Sequence, residues 1–340
     1  MQRKIASKFM FRSSISVIAA LACASVARAD DFTLGFSAGF LTDPFQAVLV
    51  QKSLAAAEAD GITTLPAANA NGDAGKQIAD VQNLMAAGAQ ALLLNPTDSQ
   101  AIIPALAAAS ENSIPVVTID AAPAGGKVAM IVRADNKRMG EEACEAIGKA
   151  LDGQGIVLSL LGDQATTNGR DRTTGFNECI KAKFSDIKVI EQPTNWKADR
   201  ASAAAQTVIN STPELSAIYI QSDSVMLAGV LNVIKSAGRD VPAGEKGHIF
   251  LASIDGTPFA LSQIREGRLD VAISQPLDLY VKYGVQYVKD AMAKKTFQAG
   301  KTDHDSEIVM LGDNPMDLLP APVVTKQNVD DASLWGNAGR

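Results

Sequence analysis

The sequence predicts an α/β protein in which parallel sheets carry helices on both sides. Strand-like and helix-like stretches alternate along the chain, and several strand-like runs, such as residues 91–94, are apolar without interruption. An uninterrupted apolar run is typical of a parallel strand that is buried on both faces. The chain has 340 residues, of which 47% are hydrophobic and 20% charged. We therefore expect a packed protein with about two domains.

The predicted strands are short apolar runs, which lie at residues 32–38, 63–67, 91–94, 115–119, 156–161, 187–190, 217–220, 249–254 and 271–274. Helices are predicted between them, and the first two lie at 45–59 and 76–87. In the second helix Ile78, Val81 and Leu84 recur at helical spacing on one face. Strands and helices that alternate in this number imply open parallel sheets.

The first 29 residues have the organisation of a secretory signal peptide. Four basic residues precede the apolar stretch 15–26, and Ala27-Arg28-Ala29 provides small residues at a cleavage site. A membrane anchor is the alternative, but this stretch is shorter than the roughly 20 residues that cross a bilayer. We therefore predict export and cleavage after Ala29.

The mature chain is strongly acidic. Removal of residues 1–29 takes away five basic residues and no acidic ones, which leaves 26 Lys and Arg against 37 Asp and Glu. The net charge of −11 argues against nucleic acid as a partner, because a phosphate backbone is bound by clustered basic side chains.

The remaining cysteines and histidines do not form a reactive or metal-binding pattern. Cys144 and Cys179 lie in helix-like stretches, and we predict two buried thiols, with a disulfide as the alternative. His248 and His304 are remote from the cysteines, so the spacing of a zinc site is absent from the sequence. A histidine-dependent hydrolase is equally poorly supplied. We predict no metal and no cofactor.

Polar side chains follow most of the predicted strands. Asn95, Asp120 and Asp255 each come directly after one of the apolar runs. In an open α/β sheet, ligands bind beyond the carboxyl ends of the strands. Carboxylates, amides and arginines with a few aromatic rings suit a neutral polyhydroxyl ligand, because each hydroxyl can donate to Asp and accept from Asn or Arg.

Helix capping is the alternative role for some of these residues. Asp43 and Ser222 occupy positions at which N-cap residues are common. Asp120 has no helical run after it, which favours a role in the site. Arg170 and Arg172 lie at the start of a predicted helix, where a cation opposes the helix macrodipole, so we expect an anion nearby.

Eight short strings along the mature chain resemble, in order, the bacterial periplasmic ribose-binding proteins and their relatives. They are LTDPF (41–45), LLLNPTDS (92–99), IPVVTID (114–120), RADN (133–136), GRDRTTGF (169–176), QSDSVMLAG (221–229), SIDGTPFAL (253–261) and ISQP (273–276). Each string is weak alone, but eight in register indicate the sugar-binding branch of the type I periplasmic binding proteins.

This resemblance implies two similar three-layer lobes with parallel sheets, joined by three crossover strands. The crossovers are expected near residues 132–135, 275–277 and 303–310. The N-terminal lobe would then comprise residues 30–133 plus 277–306, and the C-terminal lobe residues 134–276 plus 307–340.

The resemblance also implies a ligand site, made of Asp43, Phe45, Asn95, Asp120, Arg170, Trp196, Ser222, Asp255 and Gln275. Core packing is the alternative role for Phe45 and Trp196. The chain departs from the ribose-binding pattern, since Asp43 stands where those proteins have Asn and Ala121 where they have Arg. Arg133, on an expected crossover, is a candidate donor to Asp120 in its place.

The function implied is that of a periplasmic solute-binding protein, not an enzyme, that closes on a monosaccharide and delivers it to an ABC importer. We expect a monomer whose partners are a small neutral sugar and a membrane permease, with a chemoreceptor as a possible second partner. The departures favour a pentose or a pentose-like sugar such as branched apiose. An alditol, an amino sugar and a furanone-type signal are alternatives, and an exported carbohydrate-active enzyme is a more remote one.

Overall fold

The computed structural model describes residues 32–338, so the predicted signal peptide at residues 1–29 lies outside the described part. The chain forms two sheets, each covered by helices on both sides. None of the helices within residues 32–338 is long and apolar enough to cross a membrane. The α/β class with parallel sheets, as predicted, is confirmed.

The first sheet has nine strands in the described chain. They are β1 (Thr33–Ala38), β2 (Thr63–Thr64), β3 (Ala68–Asn69), β4 (Ala91–Leu94), β5 (Val116–Ile119), β6 (Met130–Ala134), β12 (Gly300–Lys301), β13 (Glu307–Leu311) and β14 (Asn314–Leu319). Their order is β12-β13-β14-β6-β5-β4-β1-β2, with β3 also paired to β1. Only the β12-β13-β14 pairings are antiparallel.

The second sheet has six strands in the described chain, which are β7 (Gly155–Leu161), β8 (Ile187–Pro193), β9 (Leu215–Ile220), β10 (Phe250–Asp255), β11 (Val271–Ser274) and β15 (Val323–Val324). Their order is β15-β11-β10-β9-β7-β8, and all pairs except β11-β15 are parallel. The central parallel strands, such as β4, β5, β10 and β11, are buried, in agreement with their continuous apolar sequences, whereas the edge strand β8 is only partly buried.

The helices are α1 (Pro44–Ala59), α2 (Ala74–Ala86), α3 (Ile103–Glu111), α4 (Asn136–Ala150), α5 (Thr167–Lys183), α6 (Ala198–Ser211), α7 (Asp223–Ser236), α8 (Pro258–Arg265) and α9 (Leu277–Met292), with a 3₁₀ turn at Trp335–Asn337. Helices α1, α2, α3 and α9 pack on the first sheet, and α4 to α8 pack on the second. Five of the described helices begin at Asp or Thr N-caps whose side chains accept a backbone N–H; these caps are Asp43, Asp73, Asp135, Thr166 and Thr257.

The chain passes between the two lobes three times, at residue 135, at 275–276 and at 320–322. The third passage differs from the expected segment at 303–310. Strands β13 and β14 form a hairpin, and β14 pairs parallel to β6 in the first sheet, with Met316 opposite Ile131. Residues 307–319 therefore belong to the N-terminal lobe, and only the chain from about residue 320 returns to the C-terminal lobe.

Cys144 and Cys179 form a disulfide, which corrects the expectation of two separate thiols. Helices α4 and α5 pack unusually closely, since a Cβ atom at Gly140 would lie 2.3 Å from the carbonyl oxygen of Arg172. This approach puts the two cysteine Cα atoms 6.1 Å apart, within the range that a disulfide can bridge. The sequence alone does not show that these two helices are neighbours.

Candidate ligand-binding cleft

A cavity of about 590 Å³ lies between the lobes, at the carboxyl ends of the parallel strands. Both lobes contribute side chains to its wall. Among the predicted site residues, the cavity is lined by Asp43, Phe45, Asn95, Asp120, Trp196, Ser222, Asp255 and Gln275. The elements explain this convergence, because each of these residues lies at the carboxyl end of a parallel strand or in the loop or first helical turn that follows it.

Asp120 is a buried carboxylate that follows β5 directly. Its backbone φ of 66° turns the chain sharply at the strand end. Asn95 donates its amide to Oδ2 at 3.0 Å, and Asn168 donates to Oδ1 at 2.9 Å. Burial raises the pKa of Asp120, and the nearby Arg172 guanidinium opposes this rise. Each carboxylate oxygen retains a lone pair with which it can accept a ligand hydroxyl.

Arg133 acts on Asp120 through Asn168 instead of donating to it directly. The Arg133 guanidinium donates to Asn168 Oδ1 at 3.0 Å and forms an ion pair with Asp171 at 2.8 Å. Because Asn168 Oδ1 accepts from an arginine, its amide nitrogen must face Asp120. Arg133 thus fixes the orientation of an amide that fixes the carboxylate.

Asp255 and Arg172 form the charged floor of the cavity on the side of the C-terminal lobe. Ser222 Oγ donates to Asp255 Oδ2 at 2.7 Å, and an Arg172 nitrogen lies 3.8 Å from Oδ1. Arg172 is 3% exposed and also donates to Asn136 Oδ1 at 2.7 Å and to the Gln221 carbonyl. Burial raises the pKa of Asp255, and Arg172 opposes that rise.

Asp223 lies behind this floor and holds the loop that follows β10. It accepts from the backbone N–H groups of Gly256 and Thr257 and from the Thr257 hydroxyl. Burial and the neighbouring Asp255 charge raise the pKa of Asp223 to about 7. Its partners are neutral groups, so its role is to position Asp255 and the start of α8.

Asp43 combines the two roles that the sequence left open. It caps helix α1, since its Oδ1 accepts the Phe45 N–H at 3.0 Å. The same oxygen accepts the Ser224 hydroxyl at 2.7 Å from the opposite lobe. Burial raises the pKa of Asp43 to about 7, and the charges of Asp255 and Asp120 add to the rise.

Two aromatic side chains form apolar parts of the cavity wall. Trp196 lies against Gly162, where a Cβ atom would come within 1.9 Å of the indole ring, so only glycine fits there. The Arg172 guanidinium lies 5.6 Å from the centre of the same ring. Phe45 is fixed by Trp335, at a ring distance of 5.7 Å. Such faces suit the C–H face of a sugar ring.

Direct hydrogen bonds join the lobes beside the cavity. Ser99 receives the Thr167 N–H on its hydroxyl at 2.9 Å and donates its own N–H to the Ala165 carbonyl. The Thr167 hydroxyl accepts the Ala122 N–H at 3.0 Å. With the bond from Ser224 to Asp43, these contacts show that the lobes are closed on each other.

Residues 34–296 match a family model described as a periplasmic binding protein domain. The chain belongs to the periplasmic binding protein family. The ribose import binding protein RbsB of Bacillus subtilis (strain 168) is 30% identical over 268 residues, which cover 79% of this chain and 84% of that protein. RbsB of Escherichia coli (strain K12) is 28% identical over 286 residues, covering 84% and 93% respectively.

Among solved structures, this periplasmic binding protein is similar to an ABC transporter solute binding protein from Mycobacterium smegmatis with bound glycerol. The TM-score is 0.77 at 26% sequence identity, and the match covers 88% of this chain and 96% of that one. The resemblance to the sugar-binding, ribose-binding-protein-like type I branch is thereby confirmed. These relatives are substrate-binding proteins, which agrees with the prediction that this binding protein is not an enzyme.

Arg170 is the one predicted site residue that the structure does not bring to the cavity. Its guanidinium donates to the Gln164 carbonyl at 2.7 Å, and Arg172 lines the cavity in its place. The reason is the phase of α5, on which Asn168, Arg172 and Phe176 are buried at intervals of four residues. Arg170, two residues before Arg172, lies on the opposite side of α5 and therefore faces away from the cavity.

The sequence prediction of this binding protein's site missed Asn168, Arg172 and Ser224. The helical spacing of Asn168, Arg172 and the apolar Phe176 is a signal that identifies the first two, because all three share one face of α5. Ser224 has a weaker signal. It lies two residues after the predicted Ser222, and only the approach of the lobes brings it to Asp43.

Proposed function

We propose that this protein captures a monosaccharide or polyol of about pentose size in the periplasm and presents it to the permease of an ABC importer. The observation that carries the proposal is the cavity between two closed lobes, whose wall is built from oriented carboxylates, amides and a buried guanidinium. Its volume of about 590 Å³ falls within the range of small-molecule sites.

The wall chemistry supports a ligand with many hydroxyl groups. Asp120 and Asp255 can accept from hydroxyls, while Asn95 and Arg172 can donate to them. Trp196 and Phe45 provide apolar faces for the carbon skeleton. Several charge-assisted hydrogen bonds with aromatic packing suffice for a micromolar affinity, about −8 kcal/mol, after ordering costs.

The wall also supports a ligand that differs from ribose. Asp43 replaces an amide of the ribose-binding pattern with a carboxylate, and the buried Ala121 follows Asp120 where that pattern has an arginine. A site that loses one donor and gains one acceptor rejects a ligand whose hydroxyls need the original pattern, because unpaired buried groups cost about 1–3 kcal/mol each. Branched apiose and pentitols are therefore candidates beside the ordinary pentoses.

We propose that closure of the lobes is the change by which the protein reports to the permease that a ligand is bound. Asp120 and Asn95 belong to one lobe, Asp255 and Arg172 to the other, so a ligand contacts both sets only when the cleft closes. Differential binding to the closed form shifts an open–closed equilibrium towards it. A permease that recognises the closed monomer then receives only loaded protein, and a chemoreceptor can use the same signal.

A ligand screen tests this function. The exported form, residues 30–340, is assayed by thermal shift against pentoses, apiose, pentitols, hexoses, hexitols and amino sugars. A ligand that binds only the native state raises the unfolding midpoint, and we expect one or more pentose-sized compounds to do so. Trp196 fluorescence should change at the same concentrations, measured in a Trp335→Phe background. No response to any compound would contradict the proposal.

A further inference from the structure

The three carboxylates of the cavity differ in how their charge is balanced. Asp120 and Asp255 both lie beside the Arg172 guanidinium, and Arg133 also acts on Asp120. Asp43 has no such partner: within the described residues 32–338, no lysine or arginine forms an ion pair with it. The charges of Asp255 and Asp120 act on it and repel its own.

The remaining charges near the cavity do not restore the balance. Arg133 is engaged by Asp171, and Asp223 is satisfied by neutral donors. At the exposed rim, Lys197 and Asp199 line the mouth of the cavity with opposite charges. Three carboxylates therefore face the cavity against one buried guanidinium. The closed cleft lacks positive charge on the side of Asp43.

The hydrogen bonds of Asp43 leave one oxygen for a ligand. Both recorded bonds, from the Phe45 N–H and from the Ser224 hydroxyl, fall on Oδ1. Oδ2 has no partner among the described residues, although the side chain lines the cavity. A hydroxyl can satisfy one lone pair of this oxygen, but an ammonium group brings three donors and a charge.

We propose that the ligand of this cleft carries a protonated amino group and that Asp43 Oδ2 receives it. This inference rests on the function proposed above and narrows it to an amino sugar or an amino polyol. The amino group would face three carboxylates in a site of low dielectric, where charge complementarity is stronger than in water. The neutral hydroxyls of the same ligand would occupy Asp120, Asn95 and Arg172.

The alternative is that Asp43 takes up a proton and donates to a hydroxyl of a neutral sugar. Its raised pKa, about 7, allows this state in the closed cleft near neutral pH. The Asp43→Asn variant imitates that neutral acid, since an amide also donates. It also keeps the start of α1, because Asn is as good an N-cap as Asp. One substitution therefore separates the two accounts.

The experiment compares matched ligand pairs at pH 7.5 by isothermal titration. Each pair consists of a neutral compound and its amino analogue: D-glucose with D-glucosamine, D-galactose with D-galactosamine, and ribitol with 1-amino-1-deoxyribitol. N-acetylglucosamine serves as an uncharged amide. We expect at least one amino compound to bind about 10-fold or more tightly than its neutral partner, the size of one charge-assisted hydrogen bond.

Two variants complete the test. Asp43→Asn should weaken the amino compound about 10-fold or more and should weaken the neutral partner less, so that the preference for the amino compound is lost. Asp73→Asn is the matched control, since the Asp73 side chain also caps a helix, accepting the Lys76 N–H at the start of α2, but is exposed and outside the cavity. It should change neither affinity. Raising the pH from 6 to 8 should strengthen binding of 1-amino-1-deoxyribitol, whose alkylammonium group stays protonated, but not that of ribitol in the unmodified protein, as Asp43 ionises.

Three results would overturn the inference. The first is that none of the amino compounds binds about 10-fold more tightly than its neutral partner, and the second is an Asp43→Asn variant that retains the affinity for the amine. In both cases the proposed function stands, because a polyhydroxyl ligand still binds. The third is failure of every neutral and amino compound in the thermal-shift and titration assays, which removes the proposed function and this inference together.

Discussion

Two single variants, Arg172→Gln and Arg170→Gln, test the electrostatics of the cleft. Arg172→Gln removes a guanidinium that is 3% exposed and lies beside Asp255 and Asp120. Arg170→Gln is the matched control, in the same helix two residues away. The first should impair both stability and binding, and the second should impair neither.

The structure sets the size of the two effects. Loss of one partner from a buried ion pair costs about 3–5 kcal/mol, and the lower value applies to Arg172 because the adjacent carboxylates can take up a proton. With about 2–4 °C per kcal/mol, the unfolding midpoint should fall by roughly 6–12 °C. Arg170 loses one hydrogen bond, to Gln164, but relieves a cation at a helix N-terminus, so we expect less than about 1 kcal/mol.

Binding is measured by titration with the strongest ligand from the thermal-shift screen. Loss of a charge-assisted hydrogen bond to a ligand hydroxyl, about 1.5–3 kcal/mol, should weaken affinity by roughly 10- to 150-fold in Arg172→Gln. Arg170→Gln should remain within about 2-fold. Equal losses in both variants, or full affinity in Arg172→Gln, would refute the assignment of Arg172 to the cleft.

Three further predictions concern the same cleft and its support. Asp120→Asn should reduce ligand affinity about 100-fold or more with an unchanged circular dichroism spectrum. Both Asp120 oxygens accept from amide groups, of Asn95 and Asn168, so the NH₂ group of an asparagine would face another donor. Retained binding would contradict this. Serine at Cys144 and Cys179, which close a loop of 35 residues, should cost about 2–4 kcal/mol in denaturant titrations but leave ligand affinity unchanged, whereas lost affinity would link the disulfide to the cleft. Thermal unfolding without ligand should show higher stability at pH 5 than at pH 8. Asp43 and Asp223 have pKa values of about 7 in the native state and keep protons that the unfolded chain has released above about pH 4. Asp43→Asn should flatten the dependence of stability on pH, and a stability that rises with pH would contradict this account.

The strands and the strand-end residues could be predicted because both depend on local sequence. The apolar run of β5 ends at Ile119, and the polar Asp120 follows without a helix to cap, so its place in the site is visible from the chain alone. The same logic applies to Asp255 at the end of β10. Parallel topology then brings the ends of the strands together.

The remaining features depend on distances that the sequence does not contain. Whether Arg172 or Arg170 lines the cleft depends on which face of α5 packs on the sheet. The buried Phe176, which stacks on Tyr219 of the sheet, identifies that face once the structure is known. The third passage between lobes lies beyond the β13-β14 hairpin, which pairs with a strand far away in sequence. The Cys144–Cys179 disulfide depends on the close packing of two helices.

Small-angle X-ray scattering during ligand titration tests most directly whether the two lobes close on the ligand. The exported form is titrated with the compound that stabilises it most in the thermal-shift screen. We predict that the radius of gyration decreases and levels off at the concentration at which Trp196 fluorescence saturates. A ligand that binds fully while the scattering curve stays unchanged would contradict the account.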